Sequence, residues 1–260
     1  MKKQILNNFI DKYSLNGMIE SVKWVVDTKE NQIRTSSISD DKNILSFVTI
    51  KDSNGLPDAE IGVNDTAKLK KLLGVLNDEV TITFNTITPK QTELDLEDQP
   101  VQAPKIISLL LTSDGTEVQY CTADLSVIVN VPILKKLPTF NLEILLTKEF
   151  INTFVKSKNA LTEVDTLTLM KDKKDKIVMI LGYSNVNSNR INIPITPVVG
   201  KDTLGKTLHF SAKYLKEILT SNSDIENAVL KISDSGLAHI EYSNDTFNSN
   251  YYLVEIKKVD

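Results

Sequence analysis

Four stretches of the chain carry apolar residues spaced three and four apart, the pattern of a helix with one buried side. Residues 4–13 align Ile5, Leu6, Phe9, Ile10 and Tyr13, and residues 65–76 align Leu69, Leu72, Leu73 and Leu76. Residues 147–158 align Phe150, Ile151, Phe154 and Val155, and residues 211–221 align Ala212, Leu215 and Leu219 with Tyr214 and Ile218 beside them. The segments between them are rich in β-branched and aromatic residues and broken by polar turns, so they predict strands. In the first half these fall at 19–27, 32–38, 44–52, 60–63, 79–87, 105–113 and 117–131. In the second they fall at 164–170, 176–184, 190–196, 206–210, 227–235, 236–244 and 248–258, with a loop between the third and fourth.

Helix, strands, helix, strands is therefore written twice. Both helix pairs are offset by 145 or 146 residues: Phe150 and Phe154 lie 145 after Ile5 and Phe9, and Ala67-Lys68 is echoed 145 residues later by Ala212-Lys213. Two independent elements that match at nearly one offset predict a duplicated structure. The fold class is α+β, with two similar domains at residues 1–129 and 142–260, each made of antiparallel sheets with two helices on one face. Residues 130–141, NVPILKKLPTFN, hold two prolines and no periodicity, so they predict an extended connector. Residues 88–102, with Pro89, Pro100, Glu93, Asp95, Glu97 and Asp98, predict a long acidic loop.

Composition narrows the chemistry. Cys121 is the only cysteine, so no disulfide forms within the chain and a cysteine-based zinc site is excluded. His209 and His239 are the only imidazoles, each in a strand, where a packed side chain is the ordinary role. No nucleophile, base and orienting group stand in a suggestive pattern, so neither an enzyme nor a cofactor is expected. No apolar run approaches the ~18 residues of a membrane span, and the first residues make a poor signal peptide, so a cytoplasmic location is expected.

The net charge of −4 conceals a segregation. Taken with their flanking residues, over 2–13, 64–76, 147–158 and 211–221, the four predicted helices carry eleven lysines against Asp11, Asp65, Glu149 and Glu217, so strands and loops hold the acid excess. Lysine is a good helix former, but that alone would favour glutamate equally. A surface of lysine-bearing helices attracts a polyanion at long range, without the arginine forks that grip phosphates bidentately.

One nucleotide motif competes with this reading. Residues 200–207, GKDTLGKT, match the phosphate-loop pattern GxxxxGK[ST], with Lys206 as its lysine. That loop works between a buried parallel strand and a helix N-terminus, whereas here prolines precede it and strand-like residues follow. A phosphate-loop nucleotide-binding enzyme is thus the alternative reading. Asp52, Asn54 and Gly55 lack the later ligands of a calcium loop and predict a turn.

The segments LHFSAKYLKEIL (208–219), AVLKISDSGLAHIEY (228–242) and NSNYYLVEI (248–256) resemble the end of the DNA sliding clamps. That family includes proliferating cell nuclear antigen and the clamps of tailed phages. NNFIDKY (7–13) and AKLKKLLGVLN (67–77) fit the same pattern, so the resemblance spans nearly the whole chain. It implies the clamp fold and a homotrimeric ring around duplex DNA, a processivity factor in DNA replication. The implied partners are DNA polymerase and an ATP-dependent clamp loader, and a clamp acting mainly in transcription activation is the variant of this reading.

Carried over by position, the resemblance implies that Lys2, Lys12, Lys68, Lys71, Lys148, Lys156, Lys213 and Lys216 face DNA phosphates. Subunits would join through the strand at 117–123, with Glu117, Val118, Gln119 and Tyr120, against 190–195, with Arg190, Ile191, Asn192 and Ile193. A partner peptide would dock in an apolar groove at Ile38, Pro132, Ile133, Leu134, Leu237, Tyr252 and Leu253. The acidic loop is longer, and the connector shorter, than in the eukaryotic clamps.

Overall fold

The computed structural model describes residues 1–87, 104–184, 188–225 and 228–257. The predicted acidic loop at 88–102 lies outside the described residues. The first half runs α1 (Lys3–Ser14), β1 (Val22–Asp27), β2 (Gln32–Ile38), β3 (Ile44–Ile50), β4 (Ala59–Val63), α2 (Thr66–Leu73), β5 (Thr81–Ile87), β6 (Lys105–Ser113) and β7 (Thr116–Cys121). The second begins with β8 (Leu142–Leu146), α3 (Lys148–Ala160), β9 (Thr166–Lys171), β10 (Ile177–Leu181), β11 (Ile191–Ile193) and β12 (Pro197–Asp202). It closes with β13 (Leu208–Ser211), α4 (Ala212–Ser221), β14 (Ala228–Ser233), β15 (Leu237–Ser243) and β16 (Phe247–Val254).

The duplication is visible in the pairing. Strands β4–β1–β2–β3 are ordered like β13–β9–β10–β11, and β5–β6–β7 like β14–β15–β16. Even the lead-in to the first helix repeats: β8 pairs with β14 before α3, as the backbone of Met1 exchanges two hydrogen bonds of 2.9 Å with Val80 before α1. The halves do not form separate sheets, because β16 pairs antiparallel with β3 from Phe247↔Ile50 to Leu253↔Ile44. One nine-stranded sheet, β12–β8–β14–β15–β16–β3–β2–β1–β4, thus crosses from one half to the other. The connector at 130–141 carries no helix or strand.

Alternation along these strands sends one face to the helices and the other outward. The row Ser46, Tyr251, Ile240, Leu230 and Ile144 is buried towards the helices. The next row, Leu45, Tyr252, His239, Lys231 and Glu143, points outward. On the helical side, Phe9, Tyr13 and Trp24 meet edge to face with ring centroids 5.3–6.3 Å apart and seat α1 on β1.

Three expectations are corrected. The second helix ends at Leu73 rather than 76, because Gly74 and two tight turns close it while Leu76 still reaches the core. The strand expected over 117–131 stops at Cys121; Asp124 then accepts the Ser126 amide and caps a 3-10 turn at Leu125–Val127. The loop expected before 206 holds β12, an edge strand on β8. Strand β8 itself, at the boundary between the connector and the third helix, was not anticipated.

Candidate nucleic-acid interface

The helices touch in the order α2, α1, α4, α3 and so form a single layer. Three of them start on side-chain caps that satisfy otherwise orphaned amides: Asp65 accepts from Lys68 N at 2.8 Å, Thr147 from Phe150 N and Ser211 from Tyr214 N. The fourth, α1, has no side-chain cap and ends on Leu15 in the left-handed region, at φ 49°. Apolar residues of each helix are buried beneath it, so its polar face is turned away from the core.

Six of the predicted DNA-facing lysines are exposed, Lys68, Lys71, Lys148, Lys156 and Lys213 on the helices and Lys2 just before α1. Lys216 is half-buried and lies 3.4 Å from the Glu217 carboxylate. Lys12 is a correction, since it is fully buried and cannot meet DNA. Its ammonium donates to Asp224 Oδ1 at 2.7 Å and to the Ser221 carbonyl at 3.1 Å, and lies 5.1 Å from the centroid of the Phe247 ring. Burial pushes its pKa below the usual lysine value, against the pull of the Asp224 hydrogen bond and charge.

The reason is helical phase. Lys12 lies on the side of α1 that faces α4, so it ties the two halves together instead of facing outward. Around it, the Tyr251 hydroxyl donates to the Lys12 carbonyl and Asn222 donates to that hydroxyl. A second tie runs from Tyr214 on α4 to Asp41 in the β2–β3 turn, at 3.0 Å. Burial alone would raise the pKa of Asp41, but hydrogen bonds from Ser39, Asn43 and Tyr214 hold it below the usual carboxylate range.

The predicted groove lies on the outward face of the sheet. Ile38 and Leu237 are half-buried there, Tyr252 is in the same row as His239, and the connector contributes Pro132, half-buried Leu134 and Ile133, which is 84% exposed. Leu253 is a correction: pleating turns it to the opposite face, where it is 1% exposed in the core. Missing from the sequence reading were Phe47 and Phe140. Phe47 meets Tyr252 edge to face, Tyr252 stacks on His239 at 4.4 Å, and Phe140 lies over His239, so aromatic rings hold the end of the connector to the sheet. His239 is buried and bonded to Asn250, and burial lowers its pKa. A separate groove of about 960 Å³, lined by Pro57, Phe84, Ile106, Ile107 and Leu125, opens beside β4.

The predicted subunit contacts fall on two sheet edges. Among the described residues β7 pairs with β6 alone and β11 with β10 alone. Val118, Tyr120 and Ile193 point into their own core, and Glu117, Gln119, Arg190 and Asn192 are exposed.

The phosphate-loop match does not have the geometry of one. Residues 200–202 belong to an edge strand, Lys206 Nζ bonds the Glu255 carboxylate at 2.8 Å, and the Gly205 amide is taken by Asp234 at 2.9 Å. The following segment enters β13, so no helix N-terminus faces the loop. Among the described residues no cluster of histidine, cysteine or acidic side chains could hold a metal, and no helix is long and apolar enough to cross a membrane.

An α+β fold with a duplicated sheet-and-helix unit, one sheet continuous across the two copies and one layer of four helices, defines the DNA sliding clamp class of architecture. Solved structures of proliferating cell nuclear antigen match it along the whole chain. That from A. fulgidus, with the C-terminal region of FEN-1 bound, has a TM-score of 0.67 at 14% identity and covers 100% of this chain and 98% of that one. That from Entamoeba histolytica has a TM-score of 0.64 at 14% identity and covers 98% and 96%. The chain thus has the DNA sliding clamp fold. No family model and no curated protein matches its sequence.

Proposed function

We propose that this chain is one subunit of a DNA sliding clamp, two clamp domains joined by the connector at 130–141, which assembles in threes into a ring around duplex DNA. The observation that carries the reading is the junction inside the chain. There β16 of the second half pairs with β3 of the first, and α4 lies beside α1. The counterparts of those strands by topology are β7 and β11, both sheet edges. Pairing β7 of one copy with β11 of the next repeats the junction head to tail, an arrangement that generates a closed ring when its rotation closes. Such a ring continues the helix layer around the hole, so Lys2, Lys68, Lys71, Lys148, Lys156 and Lys213 face the phosphates there. Their attraction is long-range and independent of base sequence, which suits a protein that moves along DNA.

In this role the protein works by topological linkage rather than chemistry. The apolar outer groove, with Ile38, Leu237, Tyr252 and the connector residues Pro132, Ile133 and Leu134, takes peptides of a DNA polymerase and of an ATP-dependent loader. Multi-angle light scattering with negative-stain imaging tests the proposal. A trimer with a central hole is expected; a strict monomer at micromolar concentration refutes it.

A further inference from the structure

The two halves of the chain are closed differently where their sheets part. After β16 the backbone crosses β13, with the Ile256 amide donating to the His209 carbonyl at 2.8 Å. After β7 it crosses β4 in the same way, with the Ala123 amide donating to the Gly62 carbonyl at 2.9 Å. In the second half the mouth beside this crossing is shut. Leu204 is 3% exposed in the core, the Gly205 amide donates to Asp234 at 2.9 Å, and Lys206 Nζ bonds Glu255 at 2.8 Å. Gly62 lies 147 residues before His209, and the same offset puts Pro57, which is exposed, in the place of Leu204. Ala123 stands where the second half has Ile256, so both replacements remove apolar bulk.

What opens in the first half is the groove of about 960 Å³ beside β4. Strands β5 and β6 run on past it to the pair Ile87 and Lys105, whereas β14 and β15 turn back directly at Ser233 and Leu237. Ile87, Ile107 and Leu125 are consequently 50%, 42% and 38% exposed, an open apolar surface of the kind that marks association. Along one side runs β4. Among the described residues it pairs with β1 and otherwise makes the single bridge from Gly62 to Ala123, so residues 59–61 present a free backbone edge. Asp58, Glu60 and Asp124 line the groove against one ammonium, that of Lys105. Glu60 pairs with Lys23 at 2.8 Å and Asp124 with Lys105 at 3.3 Å. Asp58 accepts the amide and hydroxyl of Thr28 and makes no ion pair among the described residues. None of the residues placed above in the subunit contacts or the connector groove lines this one.

We infer that this groove takes an extended, basic and aliphatic segment of another protein. The segment pairs with the free edge of β4, lays an aliphatic side chain on Phe84, Ile106 and Ile107, and sets a lysine or arginine against Asp58. Main-chain hydrogen bonds at the edge give affinity, and the groove selects the side chains. The excess of carboxylates favours a basic occupant and repels an acidic one. Its chemistry is that of Leu204-Gly205-Lys206, which closes the second half from within. The site belongs to a single chain and does not depend on the ring.

Fluorescence polarisation tests this on the full chain with a labelled peptide, Lys-Val-Leu-Gly-Lys-Val-Lys, and with its counterpart carrying glutamate for lysine. Pro57→Leu combined with Ala123→Ile gives the first half the bulk that closes the second, and Ile107→Lys sets a like charge in the groove should that pair not fold. Asp58→Asn removes the free carboxylate, and Ile133→Asp probes the connector groove as the rival seat. Circular dichroism checks the folding of each variant. The lysine peptide is expected to bind and the glutamate peptide not to. Affinity should fall about tenfold or more in the filled and Ile107→Lys variants, about threefold in Asp58→Asn, and less than about twofold in Ile133→Asp. Unchanged binding in the folded groove variants, loss with Ile133→Asp instead, or equal binding of the glutamate peptide overturns the inference. So does the lack of saturable binding of the lysine peptide below about 1 mM, while assembly of the chain, measured separately, judges the ring alone.

Discussion

Removing the charge of Lys12 tests whether the internal junction is locked as its geometry requires. Lys12→Met keeps most of the aliphatic stem and deletes the ammonium, and with it the bonds to Asp224 at 2.7 Å and to the Ser221 carbonyl at 3.1 Å. Bonds of this charge-assisted kind contribute about 1.5–3 kcal/mol each, and the ring of Phe247 adds about 1 kcal/mol. Against that, Met escapes the several kcal/mol that burying an ammonium costs. The Asp224 side chain is 40% exposed, so water recovers part of its solvation once Lys12 is gone. The single substitution therefore destabilises by only about 2 kcal/mol, and a cycle is more decisive.

Lys12→Met, Asp224→Asn and the double variant would be unfolded in urea, with hydrogen exchange followed across β16 and β3. Each single variant is expected to lose about 2 kcal/mol and the double no more than about 3, a coupling of at least about 1 kcal/mol. The sign of the pH dependence follows from the lowered pKa of Lys12. In the window below 10.5 the unfolded chain holds the proton more tightly, so the burial penalty is full at neutral pH and relieved as pH rises. Stability of the natural chain relative to Lys12→Met should climb through that window. Additive singles would refute the lock, and a pH profile that falls instead would refute the lowered pKa of Lys12.

Four further outcomes are expected. Alanine at Lys68, Lys71, Lys156 and Lys213 should flatten the salt dependence of DNA association by about one unit of log–log slope for each phosphate no longer neutralised, as read by fluorescence anisotropy at several salt concentrations. Lys206→Ala should leave ATP titrations as flat as in the unsubstituted chain, because its ammonium is spent on Glu255; saturable ATP heat that vanishes with it would restore the nucleotide reading. Asp124, held by the Ser126 amide and hydroxyl and by Lys105, should show an NMR titration midpoint of about 2; its contribution is present above the unfolded value near ~3.9 and lost as pH falls through the folded one. Gly62→Ala should destabilise by about 1–3 kcal/mol, since a Cβ there would lie 2.4 Å from the Ala123 carbonyl oxygen, and a thermal midpoint within a degree of the parent would contradict the close approach.

Periodicity determined much of this protein by itself. The α+β class, four helices, most of the strands and the duplication all follow from local spacing, because a helix or a strand must bury one side whichever partner it finds. Exposed lysines such as Lys68 and Lys213 were legible for the same reason. Helical phase relative to a distant neighbour was not: Lys12 and Lys213 read alike in sequence, yet Lys12 is buried against the end of α4 whereas Lys213, on α4 itself, is exposed. Likewise Leu253 and Tyr252 are adjacent in an apolar run, and only the register of β16 on β3 decides which faces outward. The phosphate-loop match failed on context rather than residues, since tertiary pairing gave Lys206 to Glu255. Sequence thus determined which surfaces each element must bury, and tertiary structure decided against what, through hydrogen bonds between residues up to 239 positions apart that no local pattern encodes.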